Sequence, residues 1–255
     1  MEKHFKIRKD LSMEYLGRTL YRIEATKDLL RPFVKKGDLG GWIEKEENLQ
    51  DNAWVAEEAK VYGNAKVYGN AIVSGDANVS GNANVLDNAG IYDNAKVQDN
   101  TIIYDNVVIC GNAQVCGGAR VCGSANIGEN TKVYDYAIVF CNAKVYGNAK
   151  IYGNAWVYGN ASVYGNSKIL NSAMVCGNAT VCNDVLQHKK DCKNITGERY
   201  NITITPNYIM IGCESHTKAE WWGFTDIEIL RMDGKEGLKW WNKWKPLLKG
   251  ICENE

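Results

Sequence analysis

The chain has almost no histidine. Its 255 residues include three, His4, His188 and His216, and none falls between residues 49 and 186. Over that stretch no imidazole is present to act as a general base or to hold a metal. Net charge is lacking too, since 30 basic side chains balance 30 acidic ones. No global field therefore draws the molecule to nucleic acid or to an anionic membrane. No run approaches the roughly 20 apolar residues that a membrane helix requires. The opening Met1-Glu2-Lys3-His4-Phe5-Lys6 has no hydrophobic signal core. These absences predict a cytoplasmic protein without targeting, with neither a membrane nor nucleic acid as partner.

What is present is a period of six. From Leu49 to Val181 every sixth residue is Val, Ile or Leu, at 23 positions without an insertion. Four residues after each comes a small residue, Ala in 18 cases, with Thr101, Val107, Thr131, Ser167 and Val185 as exceptions. A turn pair such as Gly63-Asn64 or Asp93-Asn94 lies between. Six is neither the helical 3.6 nor plain strand alternation. It is the period of a parallel β-helix, in which short strands separated by turns stack coil upon coil. In Val145-Tyr146-Gly147-Asn148-Ala149-Lys150, Val145 and Ala149 are expected to point inward on either side of a corner. Gly147-Asn148 makes that corner if one backbone position needs positive φ, which Gly accepts freely and Asn tolerates. Asn holds the second corner position in 16 of the 23 hexads.

This pattern resembles the left-handed parallel β-helix of the hexapeptide-repeat superfamily, which includes acyltransferases and γ-class carbonic anhydrases. Ile127-Gly128-Glu129-Asn130-Thr131 matches the usual form most closely, while most other hexads carry Tyr, Cys or Ser where Gly is common. The resemblance covers about half of the chain and implies three hexads per triangular coil, so that residues eighteen apart lie above one another. Residues 49–186 then make about 7–8 coils, a prism roughly 35 Å long at the ~4.8 Å spacing of paired strands. The expected fold class is all-β, with a small N-terminal cap over 1–48 and an α+β cap over 187–255.

In the N-terminal segment Thr19–Ile23 reads as a strand and Gly37-Asp38-Leu39-Gly40-Gly41-Trp42 as a glycine-rich turn leading into Ile43. Gly17-Arg18-Thr19-Leu20-Tyr21 followed by that turn is similar to hexapeptide-repeat proteins of phages and prophages. After Val181 the next position on the beat is Gln187, and the repeat is expected to end. Tyr200–Ile204 and Tyr208–Ile211, joined around Pro206-Asn207, read as a hairpin. Thr217 with Glu220 and Thr225 with Glu228 have capping-box spacing. Leu238, Trp241, Trp244 and Leu248 share one helical face, with Pro246 expected to kink or divide that helix. Five of the eight tryptophans fall in residues 221–244. Trp beside Lys can stack on nucleic acid, but this stripe reads as the core of a cap docked on the last coil.

The enzymes of the superfamily rely on histidine, as a general base or as a set of three metal ligands, and commonly carry a loop inserted in the coils. Both features are missing here, so neither kind of catalysis is expected, and no cofactor is assigned. Cys110, Cys116 and Cys122 occupy equivalent places in consecutive hexads, hence three different sides, as do Cys176 and Cys182 on two. They are read as small residues in a position that Tyr fills elsewhere, not as disulfides, which need Cα atoms within about 7 Å. His188, Cys192, Cys213 and His216 are of types that zinc accepts, but a long separation divides the two pairs and no metal is assigned.

Stacked at eighteen residues, one face reads Lys60, Asn78, Lys96, Gln114, Lys132, Lys150, Lys168, accompanied by Tyr134 and Tyr152 on the same strands. Lys132, Tyr134, Lys150, Tyr152 and Lys168 form the candidate site for a small anionic ligand with an aromatic portion, such as a nucleotide. The bland alternative is that splayed lysines guard the sheet against wrong association. A second face carries Ile138, Phe140, Trp156, Tyr158 and Met174, apolar enough to need covering by the C-terminal segment or by another subunit. Because members of the superfamily are often trimers packed side by side, the resemblance implies a homo-oligomer. The expected function is non-catalytic binding, with sequestration of a small host anion as its specific form. An acyltransferase with atypical catalytic residues and a structural or assembly protein are the competing classes.

Overall fold

The computed structural model describes residues 3–30, 33–196 and 199–253. From Trp42 onward the chain winds as a parallel β-helix of about eight coils. Its faces belong to sheets of 11, 8 and 7 strands, the first including the N-terminal hairpin. Most strands are two residues long, and each pairs in parallel with the strand eighteen residues on, as in Lys132↔Lys150 with Val133↔Ile151. The period has a simple packing cause. Val145 and Ala149 are both fully buried: the β-branched residue fills the axis and the small one lets the chain turn beside the corner.

The corner has the one left-handed position that its sequence reading requires. The left-handed residue is the first of the pair, as in Gly147 (φ 71°) and Asp93 (φ 58°), and Asn148 does not adopt positive φ. The asparagines serve instead as ladders between coils. Asn112 donates to Asn130, Asn130 to Asn148 and Asn148 to Asn166, at 3.0–3.3 Å. An acidic first-corner residue also reaches one coil onward. Glu57, Asp93 and Glu129 accept the backbone N–H of Gly75, Gly111 and Gly147 at 2.6–2.9 Å. That column alternates acid and glycine: a Cβ on Gly75 would lie 2.8 Å from the Asp93 backbone, inside van der Waals contact. Where two acids follow each other, Asp87 and Asp105, the bond lengthens to 3.2 Å.

The N-terminal segment extends one face rather than merely covering an end. Strands β1 (Phe5–Tyr15) and β2 (Arg18–Ala25) form an antiparallel hairpin. β2 pairs with β3 (Leu39–Ile43), and β3 runs parallel to Lys60–Val61 as the first solenoid strand. The expected glycine turn is thus partly strand, because Gly40 and Gly41 pass where a Cβ would strike Trp54 and the backbone of Val55 and Ala59 at 2.5–2.7 Å. Phe5, Ile23, Leu29 and Val34 complete the core at this end. His4 is buried, its Nε2 2.8 Å from the Ala53 carbonyl. Burial lowers its pKa below the ordinary histidine value.

At the other end the winding continues for one strand beyond Val181, with one residue dropped. Val185–Leu186 pairs with Lys168–Ile169, so Leu186 is the inward residue and Val185 points out, 41% exposed. Val185 therefore does not fill the small inward position. Asp184 takes that place, 2% exposed. Its carboxylate accepts from Thr205 Oγ1 (2.5 Å), Asn207 N (3.0 Å), Asn207 Nδ2 (2.7 Å) and Val185 N (2.7 Å). Four donors for one buried carboxylate make a strong joint, tying the last coil to the cap.

The cap is a four-stranded antiparallel sheet, residues 193–217, packed against α1 (Lys218–Gly223) and α2 (Asp226–Glu253). The expected hairpin is its Ile202–Ile204 and Tyr208–Ile211 pair. Both capping boxes are formed, Thr217 with Glu220 and Thr225 with Glu228. α2 breaks at Asp233-Gly234, where Gly234 has φ 66°, and not at Pro246. Gly234 permits a left-handed turn that other residues resist, whereas Pro246 fits a helical φ and costs only a donor. The cap has its own core, which includes Ile202, Ile209, Trp221, Trp241 and Leu248. Among the described residues no helix is long and apolar enough to cross a membrane.

Candidate functional site

The register brings the predicted anion-site residues together on one face. Lys132, Lys150 and Lys168 are adjacent rungs, all exposed, with Val133, Ile151 and Ile169 pointing inward beside them. Among the described residues none of the three lysines pairs with a carboxylate. Ammonium groups carried on neighbouring strands, ~4.8 Å apart, repel unless they fan out or an anion compensates them. Tyr134 and Tyr152 lie one residue beyond the inward positions, ring against ring at 4.8 Å with planes 4° apart. Burial, and next the neighbouring Tyr152, raise the Tyr134 phenol above its ordinary value, so it remains a neutral hydroxyl. The stack is closed: no base fits between the two rings. A ligand's aromatic part would have to lie on an outer ring face or along the edges.

The lower end of this column is occupied by the protein itself. The Tyr15 hydroxyl, at the tip of β1, donates to Asn78 Oδ1 at 3.2 Å. Its ring meets Tyr62 edge-on at 5.6 Å, and Lys60 Nζ lies 5.4 Å from that ring's centre. The open part of the face is therefore its upper half. Charge favours the same half. Residues 44–135 hold thirteen acidic and six basic side chains, while residues 136–183 hold Lys144, Lys150 and Lys168 and no acidic residue. A zero total conceals this polarity, which counting charge per coil would have found.

The apolar face is also assembled by register, with Ile138↔Trp156 and Trp156↔Met174 paired. Phe140 stacks on Tyr158 at 4.8 Å and meets Trp156 edge-on at 6.2 Å, yet Trp156 stays 41% exposed. The C-terminal tryptophans pack against their own sheet and helices, and do not make these ring contacts.

Elsewhere the candidates disperse. His216 packs edge-on against Trp221 and Phe224 at 5.2 and 4.9 Å, while His188 precedes a short turn at 189–191 and donates its backbone N–H to Asp191 Oδ2 at 2.9 Å. Among the described residues no three His, Cys, Asp or Glu side chains gather as a metal set. Cys110, Cys116 and Cys122 are free thiols on three different faces, and Cys176 and Cys182 are free thiols as well. Burial pushes the Cys192 thiol up to about 12.

Residues 59–75 and 149–165 match the YdcK β-solenoid repeat. This is a β-helix repeat protein. The two stretches begin at Ala59 and Ala149, a whole number of coils apart, so they present the same three faces in the same order. The second contains Lys150 and Tyr152 of the lysine face and Trp156 and Tyr158 of the apolar face. No curated protein matches the chain.

Proposed function

We propose that this β-helix is a non-catalytic binding protein that holds a small anion on the Lys132–Lys150–Lys168 column. One observation carries the reading: three exposed lysines on successive rungs, without carboxylate partners among the described residues, with Lys150 and Lys168 in the acid-free stretch 136–183. The ligand class is a compact anion with more than one negative charge, such as a nucleotide, since several phosphate oxygens could meet several ammonium groups. The similarity of the N-terminal motifs to phage and prophage proteins favours sequestration of a host signal of that kind. The wider hexapeptide-repeat resemblance leaves an acyltransferase with atypical catalytic residues as the enzymatic rival. The chain as a whole would work in the cytoplasm.

The cluster of exposed Trp156 with half-buried Phe140 and Tyr158 supports self-association as a further part of this reading, with Ile138 and Met174 at its margin. A trimer packed through this face would leave the lysine column open. Light scattering after chromatography should give a multiple of the chain mass that Trp156→Glu reduces. A monomer at all concentrations would end that part of the reading and weigh against a purely structural or assembly role.

The ligand test is a thermal-shift screen with nucleotides, inorganic polyphosphate and coenzyme A. A nucleotide or polyphosphate should raise Tm, since ligand that binds only the native state stabilises it. Lys132→Ala and Lys150→Ala should abolish that rise without changing the unliganded Tm. A rise that survives both substitutions, or no rise with any anion, would remove the lysine column as the site. Coenzyme A binding with acyl transfer would favour the enzymatic rival.

A further inference from the structure

The cap contains a cavity whose chemistry is opposite to that of the lysine column. It has a volume of about 110 Å³ and lies between the sheet and α2. This is well below the roughly 300–1,000 Å³ of pockets for drug-sized ligands, so it suits a head group and not a nucleotide. Tyr200, Trp221, Trp240 and Trp241 supply aromatic wall, and the charged residues that line it, Glu214 and Asp233, are both acidic. Tyr200 and Trp240 meet edge-on at 4.7 Å, and Trp221 and Trp241 lie 5.2 Å apart at 38°.

The break in α2 shapes this pocket. Gly234 turns the backbone with φ 66°, and Asp233 beside it is held by the Tyr200 hydroxyl and by Arg199 Nη2 at 3.1 Å. Those two bonds, the tyrosine's first, keep the Asp233 carboxyl below its ordinary value. Gly237, one turn on, has no room for a side chain, because a Cβ would lie 2.8 Å from that of Asp233.

We propose that this cavity binds a small organic cation, of the quaternary or methylated ammonium class, between the tryptophan rings and the Glu214 and Asp233 carboxylates. Aromatic faces carry negative potential that attracts such cations, and the attraction grows when the site is desolvated. Trp221, Trp240 and Trp241 are all at least nine-tenths buried, so a head group among them would be largely removed from water. The chain already makes a similar contact at the rim: the Arg199 guanidinium lies 5.4 Å from the centre of the Tyr200 ring while bonded to Asp233. A neutral apolar guest would use the rings but gain nothing from Glu214, the carboxylate that no guanidinium holds as Arg199 holds Asp233, so charge decides between the two kinds of ligand.

The test is a titration of the full chain with choline chloride and with 3,3-dimethyl-1-butanol, its uncharged isostere, followed by tryptophan fluorescence. Choline should change the emission saturably, and the isostere should bind about tenfold more weakly or worse. Glu214→Gln should weaken choline several-fold at unchanged Tm, while Lys150→Ala leaves it unaffected. Equal binding of choline and isostere, or no saturable response to choline, would overturn the proposal. The isostere comparison uses the unaltered protein and so decides even if a variant folds poorly.

Discussion

From Leu49 to Val181 the inward positions of the β-helix hold only aliphatic residues, Ala, Thr or Ser, whereas in the cap Trp221, Trp240 and Trp241 fill the space between sheet and helix. The solenoid gains its order from repetition. Successive rungs repeat the same backbone bonds and corner geometry, many with asparagine ladders, and no inward side chain is larger than Ile or Leu. The cap has no repeat and depends on a few bulky residues at unique positions. Its loss should therefore be abrupt and local, while damage within the solenoid should be shared with neighbouring coils.

The largest effect is expected from Trp241→Ala, at about 3–5 kcal/mol for a buried aromatic. Hydrogen exchange should show the cap opening while amides near Val97 and Val115 remain protected. Loss of protection throughout would mean that the two cores do not behave as separate units. Asp184→Ala comes next, at about 2–3 kcal/mol, because it leaves the donors of Thr205 and Asn207 unpaired in a buried joint. Faster exchange at both the last coil and the 202–211 hairpin should result, and an unchanged cap would show that other contacts hold it.

Within the solenoid, Ala149→Leu should cost about 1–3 kcal/mol by overpacking, whereas an equally large residue at outward Lys150 should cost little. Equal melting temperatures for the two variants would contradict the narrow interior. The smallest effect should be a pH dependence at the N-terminal end. His4 has a lowered pKa in the folded protein, so the unfolded chain binds the proton more readily. The stability it contributes is complete above about pH 6.5 and declines as pH falls from there through the folded value. Tm should fall as pH is lowered below about 6.5, and His4→Gln should flatten that fall. A profile of the same slope in the variant would assign it to other groups.

The repeat was legible because its period carries register as well as fold. Once every eighteenth residue is stacked, Lys132 must neighbour Lys150, and Ile138 must neighbour Trp156. The same counting failed at Val185, since a single missing residue shifts inward and outward positions without changing composition. It placed the corner but gave no role to its second residue. Asn148 is common there for the bonds its amide makes to the next coil, which no local φ preference reveals. β1 escaped notice because its pairing with β2 shifts between Arg8 and Ser12, which interrupts the alternation that marks a strand. The cavity in the cap was hidden for another reason: Tyr200, Glu214, Asp233 and Trp240 are brought together only by tertiary folding.

The alternating column Glu57, Gly75, Asp93, Gly111, Glu129, Gly147 has a consequence for how such a molecule could change length. Duplicating one coil would set carboxylate on carboxylate, or glycine on glycine, at the splice. Copying two coils together would preserve the sequence of partners throughout. Within that stretch the increment that keeps every carboxylate-to-glycine bond is therefore a pair of rungs, while one coil further on Gly165 already follows Gly147 without such a bond.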